Sequence, residues 1–288
     1  MKAEAECYLC LLSQVLRTAR IIGLKDRATI ELLQKGCAFL AEVDFDRTPP
    51  EISEDLYTLL ARETGNPDPY QELKKHHIEK AFELYPGLKK IVESSSDPLR
   101  AALEISLAGN VIDFGATQAE DWFKDGKFLE RMELARDDYP LLKEDLSRAR
   151  KIVFLGDNSG ETVFDRLFIE ILNRKVIYAV RESPIINDAT LKEARLSGLS
   201  GVAELVSSGC RAPGIVLEQC SLEFLRILAE ADLIISKGQG NFECLEQEKG
   251  PFYFLLKAKC EVVSRYIAVP QGTLVIMRSK NFQPQLSF

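Results

Sequence analysis

At Lys151 the apolar period of the chain changes, and the change limits the folds open to it. Beyond that point short apolar runs recur at 152–155, 176–180, 203–206, 233–236, 261–267 and 274–277, mostly separated by helix-length segments. Parallel strands need a crossover connection and a helix supplies it, so this alternation predicts a largely parallel α/β sheet, with the last two runs forming an antiparallel edge. Before Lys151 the chain reads as helix after helix; Leu9, Leu12, Val15, Leu16 and Ala19, for example, recur at helical spacing. The expected fold class is α/β: a Rossmann-like, mostly parallel three-layer sheet domain over 149–288, and an all-helical domain over 1–148. A cleft between the two is the expected binding site.

Chemistry is expected first in the stretch 151–174, where a strand feeds a polar turn and then a helix. Turns of this kind lie at the carboxyl edge of the strands, where open α/β sheets bind ligands. Asp157 and Asn158 offer a carboxylate and an amide oxygen, the hard donors preferred by Mg²⁺ and Mn²⁺. Gly160 lets the backbone approach a ligand, and the helix after it presents unpaired N–H groups to a phosphate. The competing explanation is local: Asp157 or Ser159 caps the helix and Glu161 completes an acidic first turn.

Three further loops occupy comparable positions. Asp188 follows the second strand and precedes a helix, so it is either another carboxylate at that edge or a plain cap. Lys237-Gly238-Gln239-Gly240-Asn241-Phe242-Glu243 follows the fourth strand; a lysine and two glycines suit an anion site, although a flexible turn has the same composition. Gly109-Asn110-x-x-Asp113 puts an amide and a carboxylate one helical turn apart, which also describes an interrupted, capped helix. Near the N-terminus Cys7, Cys10, Gln14 and Arg17 share one helix face. Cys7-x-x-Cys10 lacks the second ligand pair of a structural zinc site, so buried thiols compete with a redox or second-metal role.

Composition excludes several classes. Among 288 residues the formal charge is −7 with no long basic run, which argues against a protein that holds nucleic acid by neutralising phosphates. The same charge repels a phosphorylated substrate, so such a site needs a local metal or lysine. Seven scattered cysteines with no secretion signal predict reduced thiols, and no apolar run approaches the roughly 18 residues of a bilayer span, so a cytoplasmic protein without membrane partners is expected. The two histidines, His76 and His77, leave little room for a His-rich zinc site or a Ser-His-Asp enzyme.

Taken together, Cys7-x-x-Cys10-x-x-x-Gln14-x-x-Arg17, Ala108-Gly109-Asn110-x-x-Asp113, Gly156-Asp157-Asn158-Ser159-Gly160-Glu161, Asn187-Asp188 and the loop from Lys237 to Glu243 resemble the metal-dependent damage-control phosphatases, in the subgroup with an N-terminal CxxC. The resemblance runs from residue 7 to about residue 245 and rests on the order and spacing of motifs that are individually weak. It implies that Asp157, Asn158 and Asp188 bind a divalent metal: Mg²⁺ or Mn²⁺ by donor type, or Co²⁺ or Ni²⁺ by general affinity. It implies that Lys237, Gly238, Gly240 and Asn241 hold the substrate phosphate with Ser159 and Gly160, and that Asn110 and Asp113 close the site. Glu161 belongs to the same motif, and Ser159 stands where the family commonly has alanine.

The implied reaction is hydrolysis of a small phosphorylated metabolite. The metal polarises the phosphorus and activates water while Lys237 offsets charge on the equatorial oxygens. An aspartyl-phosphate on Asp157 ranks below metal ligation, because no second Asp follows two residues later. Two other readings stay open: an S-adenosylmethionine-dependent methyltransferase, and a non-catalytic protein that binds a sugar phosphate or nucleotide.

Overall fold

The computed structural model describes residues 1–109 and 132–284. Seven strands form one sheet: β1 (Leu134–Asp137), β2 (Ile152–Leu155), β3 (Val176–Val180), β4 (Glu204–Ser207), β5 (Leu233–Lys237), β6 (Phe252–Lys257) and β7 (Leu274–Arg278). Their spatial order is β1-β7-β6-β5-β2-β3-β4, and every neighbouring pair is parallel except β6 with β7. β2 lies inside the sheet between β5 and β3, and all four of its residues are buried. That explains its unbroken apolar sequence, since a strand covered on both faces has no solvent side on which to alternate.

The chain leaves β2 toward β3 on one side and returns to β5 on the other. The carboxyl ends of β2 and β5 therefore flank a crevice at the point where the strand order reverses. Helices 98–108, 139–148 and 161–172 cover one face of the sheet, sharing a core that includes Leu103, Leu142, Phe164 and Phe154. Helices 222–229, 239–245 and 261–267 cover the other, around Phe224, Phe242, Val263 and Phe254.

A third apolar cluster belongs to the N-terminal helices 5–21, 26–41 and 49–64, with Leu11, Val15, Leu32, Leu56 and Tyr70 at its centre. Ile185, from the loop after β3, packs into it. This contact seats the N-terminal helices over the carboxyl edge of the sheet. The third of them carries Pro49 and Pro50 in its first turn, where a missing N–H costs nothing, and Thr48 caps it reciprocally with Glu51. No helix among the described residues is long and apolar enough to cross a membrane.

Two elements differ from the sequence expectation. Leu134–Asp137, read as helix, is an edge strand parallel to β7. The run 261–267, read as strand, is a helix that buries Val262, Val263 and Ser264 and is capped by Cys260, whose sulfur accepts from the Val263 N–H. The β-branched Val262-Val263 pair gave it a strand-like composition that packing overrides. The antiparallel partner of β7 is instead Phe252–Lys257.

Candidate active site

The loops after β2, β3 and β5 converge at the crevice. Asn158 and Asp188 form an antiparallel bridge, the Ala189 N–H donates to the Asp157 carbonyl at 2.8 Å, and the Ser159 N–H donates to the Asn187 carbonyl at 2.8 Å. The backbone thus locks Asp157, Asn158 and Asp188 into one cluster. Part of that locking is strained: Ile186, a β-branched residue, is held at φ 45° two positions before Asp188. The left-handed region is unfavourable for such a side chain, and strain of this kind gathers at functional sites.

Both carboxylates are buried, Asp157 at 7% and Asp188 at 4% exposure. Burial pushes the Asp157 carboxyl well above the usual range, and the neighbouring charges of Asp188 and Glu161 push it further, against the opposing pull of Lys259 and Arg181. Asp188 is also raised by burial, with Arg181 opposing. Arg181 donates from Nε to Asp188 Oδ2 at 2.8 Å, its Nη2 lies 3.9 Å from Asp157 Oδ1, and neither Nη has a hydrogen-bond partner.

Glycine is demanded at 238. Its φ is +82°, and a Cβ there would sit 2.0 Å from Asp157 Oδ2. The Asp157 carboxylate therefore lies directly against the backbone that follows β5. At Gly240 a Cβ would fall 1.9 Å from the Pro213 carbonyl, so the start of this helix is pressed against the 213–214 turn.

Beside the carboxylates lies a cavity of about 360 Å³. Asp157, Asn158, Asp188, Gln239 and Gly240 line it from the sheet side, and Cys7, Cys10, Gln14, Arg17, Tyr57 and Tyr70 from the N-terminal helices. The cations among its lining residues are Lys259 and Arg17. Glu243 and Cys260 complete the wall; burial pushes the Glu243 carboxyl up to about 7, with Gln239 opposing. Cys7 and Cys10 are free thiols, and burial raises both.

The expected residues separate into those that meet the cavity and those that brace it. Lys237, expected at the substrate phosphate, points away from it. Its ammonium is fully buried and ion-paired with Asp165 at 2.7 Å and Glu161 at 2.9 Å, and it donates to the Ser106 carbonyl at 2.7 Å. Burial works against that charge, but Asp165 and Glu161 outweigh it and hold the lysine above its ordinary value.

Ser159 and Asn241 also act internally. The Ser159 hydroxyl donates to the Asn187 carbonyl at 2.9 Å, while the Asn241 amide donates to the carbonyls of Gly156 and Lys237 at 3.1 and 2.8 Å, joining the ends of β2 and β5. Gly160 sets the start of helix 161–172. Asn110 and Asp113 lie outside the described residues.

The residues to which the sequence assigned no role are Arg181, Asp165, Lys259 and Glu243, the last quoted only as the end of the Lys237 loop. Lys259 stands two residues beyond β6, at the same carboxyl edge as Gly238, because β6 runs parallel to β5. Recognising 252–257 as a strand was the signal that would have located it.

A cation would fit this cluster. Four carboxylates, Asp157, Glu161, Asp165 and Asp188, are buried with two buried cations, Arg181 and Lys237, a formal excess of two negative charges when all four are ionised. Such an excess is costly unless an ion neutralises it. Among the described residues no three or more His, Cys, Asp and Glu side chains are arranged to hold a metal. The further donor is Asn158: its Nδ2 donates to Asp157 Oδ2 at 2.9 Å and to Glu161 Oε1, so its amide oxygen is the atom left for a cation.

A family profile described as the damage-control phosphatase ARMT1-like domain matches residues 3–275. A protein named damage-control phosphatase from Pyrococcus horikoshii is 35% identical over 97% of this chain and 99% of its own length. Another so named, from Archaeoglobus fulgidus, is 37% identical over 96% of this chain and 98% of its own. The crystal structure of a DUF89 family protein from P. horikoshii superposes with a TM-score of 0.88 at 33% identity, covering 97% of this chain and 100% of that one.

Proposed function

This chain belongs to the damage-control phosphatase family, and from that premise we propose that it hydrolyses small phosphate monoesters with a divalent cation held by Asp157, Asn158 and Asp188. Family membership supports the phosphatase class. One observation supports the finer reading: a buried, over-negative cluster opens onto a cavity that also presents Lys259 and Arg17. A cation site facing an anion site suits a phosphate ester, whose phosphoryl oxygens can be shared between them. The volume of about 360 Å³ is that of a small-molecule pocket and suits a sugar phosphate or a damaged phosphometabolite.

When bound, the divalent cation would supply Lewis acidity toward a phosphoryl oxygen and neutralise the excess charge. The chain's own residues do the rest. Asp157 and Asp188, fixed by the loop bridge and by Gly238, present carboxylate oxygens in a pre-set position. Arg181 holds Asp188 from behind, so the carboxylate is oriented before any ligand arrives. Lys259 and Arg17 draw the substrate phosphate against the net negative charge of the protein and balance charge on its oxygens. Tyr57 and Tyr70, hydrogen-bonded to each other at 3.2 Å, form a firm wall for the organic part of the substrate.

Lys259→Met tests the phosphate assignment. A charged hydrogen bond is worth about 1.5–3 kcal/mol, so kcat/KM is expected to fall roughly 10- to 100-fold, mostly through KM, while the affinity for Mn²⁺ is not weakened. A kcat/KM within twofold of the parent would remove Lys259 from substrate binding.

A further inference from the structure

Behind the proposed cation site lies a chain of buried hydrogen-bonded charges that crosses four elements. Tyr178, on β3, donates its hydroxyl to Asp165 Oδ2 at 2.7 Å. Ser106, in helix 98–108, donates to Asp165 Oδ1 at 2.6 Å. That same Oδ1 accepts from Lys237 Nζ, at the end of β5, at 2.7 Å. Lys237 pairs in turn with Glu161 Oε2 at 2.9 Å, and the other oxygen of Glu161 accepts from Asn158 Nδ2. The last link is Asn158 Nδ2 to Asp157 Oδ2 at 2.9 Å. Asp165, Lys237, Glu161, Ser106 and Tyr178 are all at most 1% exposed.

The order of charges along this chain is informative. Asp165 and Glu161 are four residues apart on one helix face, where like charges repel. Lys237 inserted between them removes the repulsion and fixes Glu161 as an acceptor. An amide whose N–H groups are both given to carboxylates can offer only its oxygen outward. A core of this size does not need such a chain for stability, since hydrophobic replacements of buried ion networks are often neutral or stabilising.

We propose that Asp165 and Lys237 are positioning residues for the divalent cation: through Glu161 they hold the Asn158 amide with its oxygen toward the cation and its N–H groups toward the carboxylates. Neither touches the substrate. This inference rests on the metal-dependent reading above.

Asp165→Asn keeps the shape of the side chain and removes the charge that anchors Lys237, and groups that orient metal ligands typically carry 10- to 100-fold in metal affinity. The test is Mn²⁺ binding to metal-stripped protein, followed by electron paramagnetic resonance without substrate, with circular dichroism and thermal melting to establish the fold. Mn²⁺ affinity is expected to fall roughly 10- to 100-fold in Asp165→Asn, and kcat to recover largely at saturating Mn²⁺ with KM for the phosphate ester unchanged.

Because Mn²⁺ stabilises any native state that binds it, the metal-free melts are compared first, and a variant that is folded at the assay temperature without metal yet needs more Mn²⁺ separates positioning from structure. Should Asp165→Asn fail to fold, Ser106→Ala leaves every charge in place, removing the hydroxyl's hydrogen bond to Asp165 and the one it accepts from Lys237 at 3.1 Å, and is expected to weaken Mn²⁺ binding several-fold in the same direction. Wild-type protein that binds Mn²⁺ together with folded variants that bind it equally well would overturn the positioning role and leave the phosphatase reading standing. Wild-type protein that binds none of Mg²⁺, Mn²⁺, Co²⁺ and Ni²⁺ would overturn both.

Discussion

Asp157→Asn is expected to give a folded protein whose phosphate release is lower by about 10³-fold or more, and whose metal-free form melts at a higher temperature than the parent. The two effects share a cause. Asp157 is buried against Asp188 and Glu161, and its carboxyl is raised well above its ordinary 3.8, so the folded state holds that proton more tightly than the unfolded chain does. The stability this contributes is fully present below the ordinary carboxylate pKa and lost as pH rises through the raised value. Above the ordinary carboxylate pKa the metal-free parent carries the cost of either keeping this buried carboxyl protonated or ionising it, and asparagine removes that cost while keeping the contact with Gly238. The gain should therefore grow as the pH of the melt is raised. Phosphate release assays and thermal melts of metal-stripped protein at pH 5 and pH 8 check both halves; full turnover in the variant would remove Asp157 from the site.

Gly238→Ala is expected to damage stability and catalysis together. The residue sits at φ +82° and ψ 160°, a region open essentially to glycine alone, and the added methyl would lie 2.0 Å from Asp157 Oδ2 and 2.3 Å from its Cγ. Backbone strain and the clash together predict a loss of about 3 kcal/mol or more in urea denaturation. Relief by moving the carboxylate displaces a catalytic group by the order of 1 Å, which is enough for a fall of about 10²-fold in kcat. A cycle with Asp157→Ala separates the two terms: without the carboxylate the clash disappears, so Gly238→Ala should cost less there and retain only its conformational penalty. Equal costs in both backgrounds would mean that Gly238 serves its own backbone and does not fix Asp157.

Much of the site was legible because it follows from topology. An apolar run that opens into Asp157-Asn158, and a second that leads to Asp188, can be assigned to carboxyl edges without knowing the strand order, and β2 and β3 are in fact neighbours. Side-chain direction was not legible. Lys237 is the last residue of β5, and its side chain enters the face covered by helices 98–108 and 161–172, while Gly238 backs onto Asp157 and Gly240 lines the cavity.

The missed cation follows from a missed strand. Reading 261–267 as the extended element left Lys259 in an apparent linker, whereas the continuous apolar run Phe252–Leu256 carries it to the same edge as Gly238. Asp165 was hidden by a different rule. A polar residue in an amphipathic helix is usually solvated, and only its spacing of four from Glu161 hinted that both face inward. The helix 98–108 is buried from Ala101 to Ala108, so its serine could serve an internal charge where surface helices would have offered water.

On the proposal above, Asp157, Asn158 and Asp188 hold a divalent cation that phosphate-ester hydrolysis requires. Phosphate release from a panel of sugar phosphates and a generic aryl phosphate, measured on metal-stripped protein with Mg²⁺, Mn²⁺, Co²⁺ or Ni²⁺ returned singly, tests it most directly. No release is expected without metal, release returns with at least one of the four ions, and none returns in Asp157→Asn or Asp188→Asn. Release that persists in the stripped protein, or that returns equally in both variants, would contradict it.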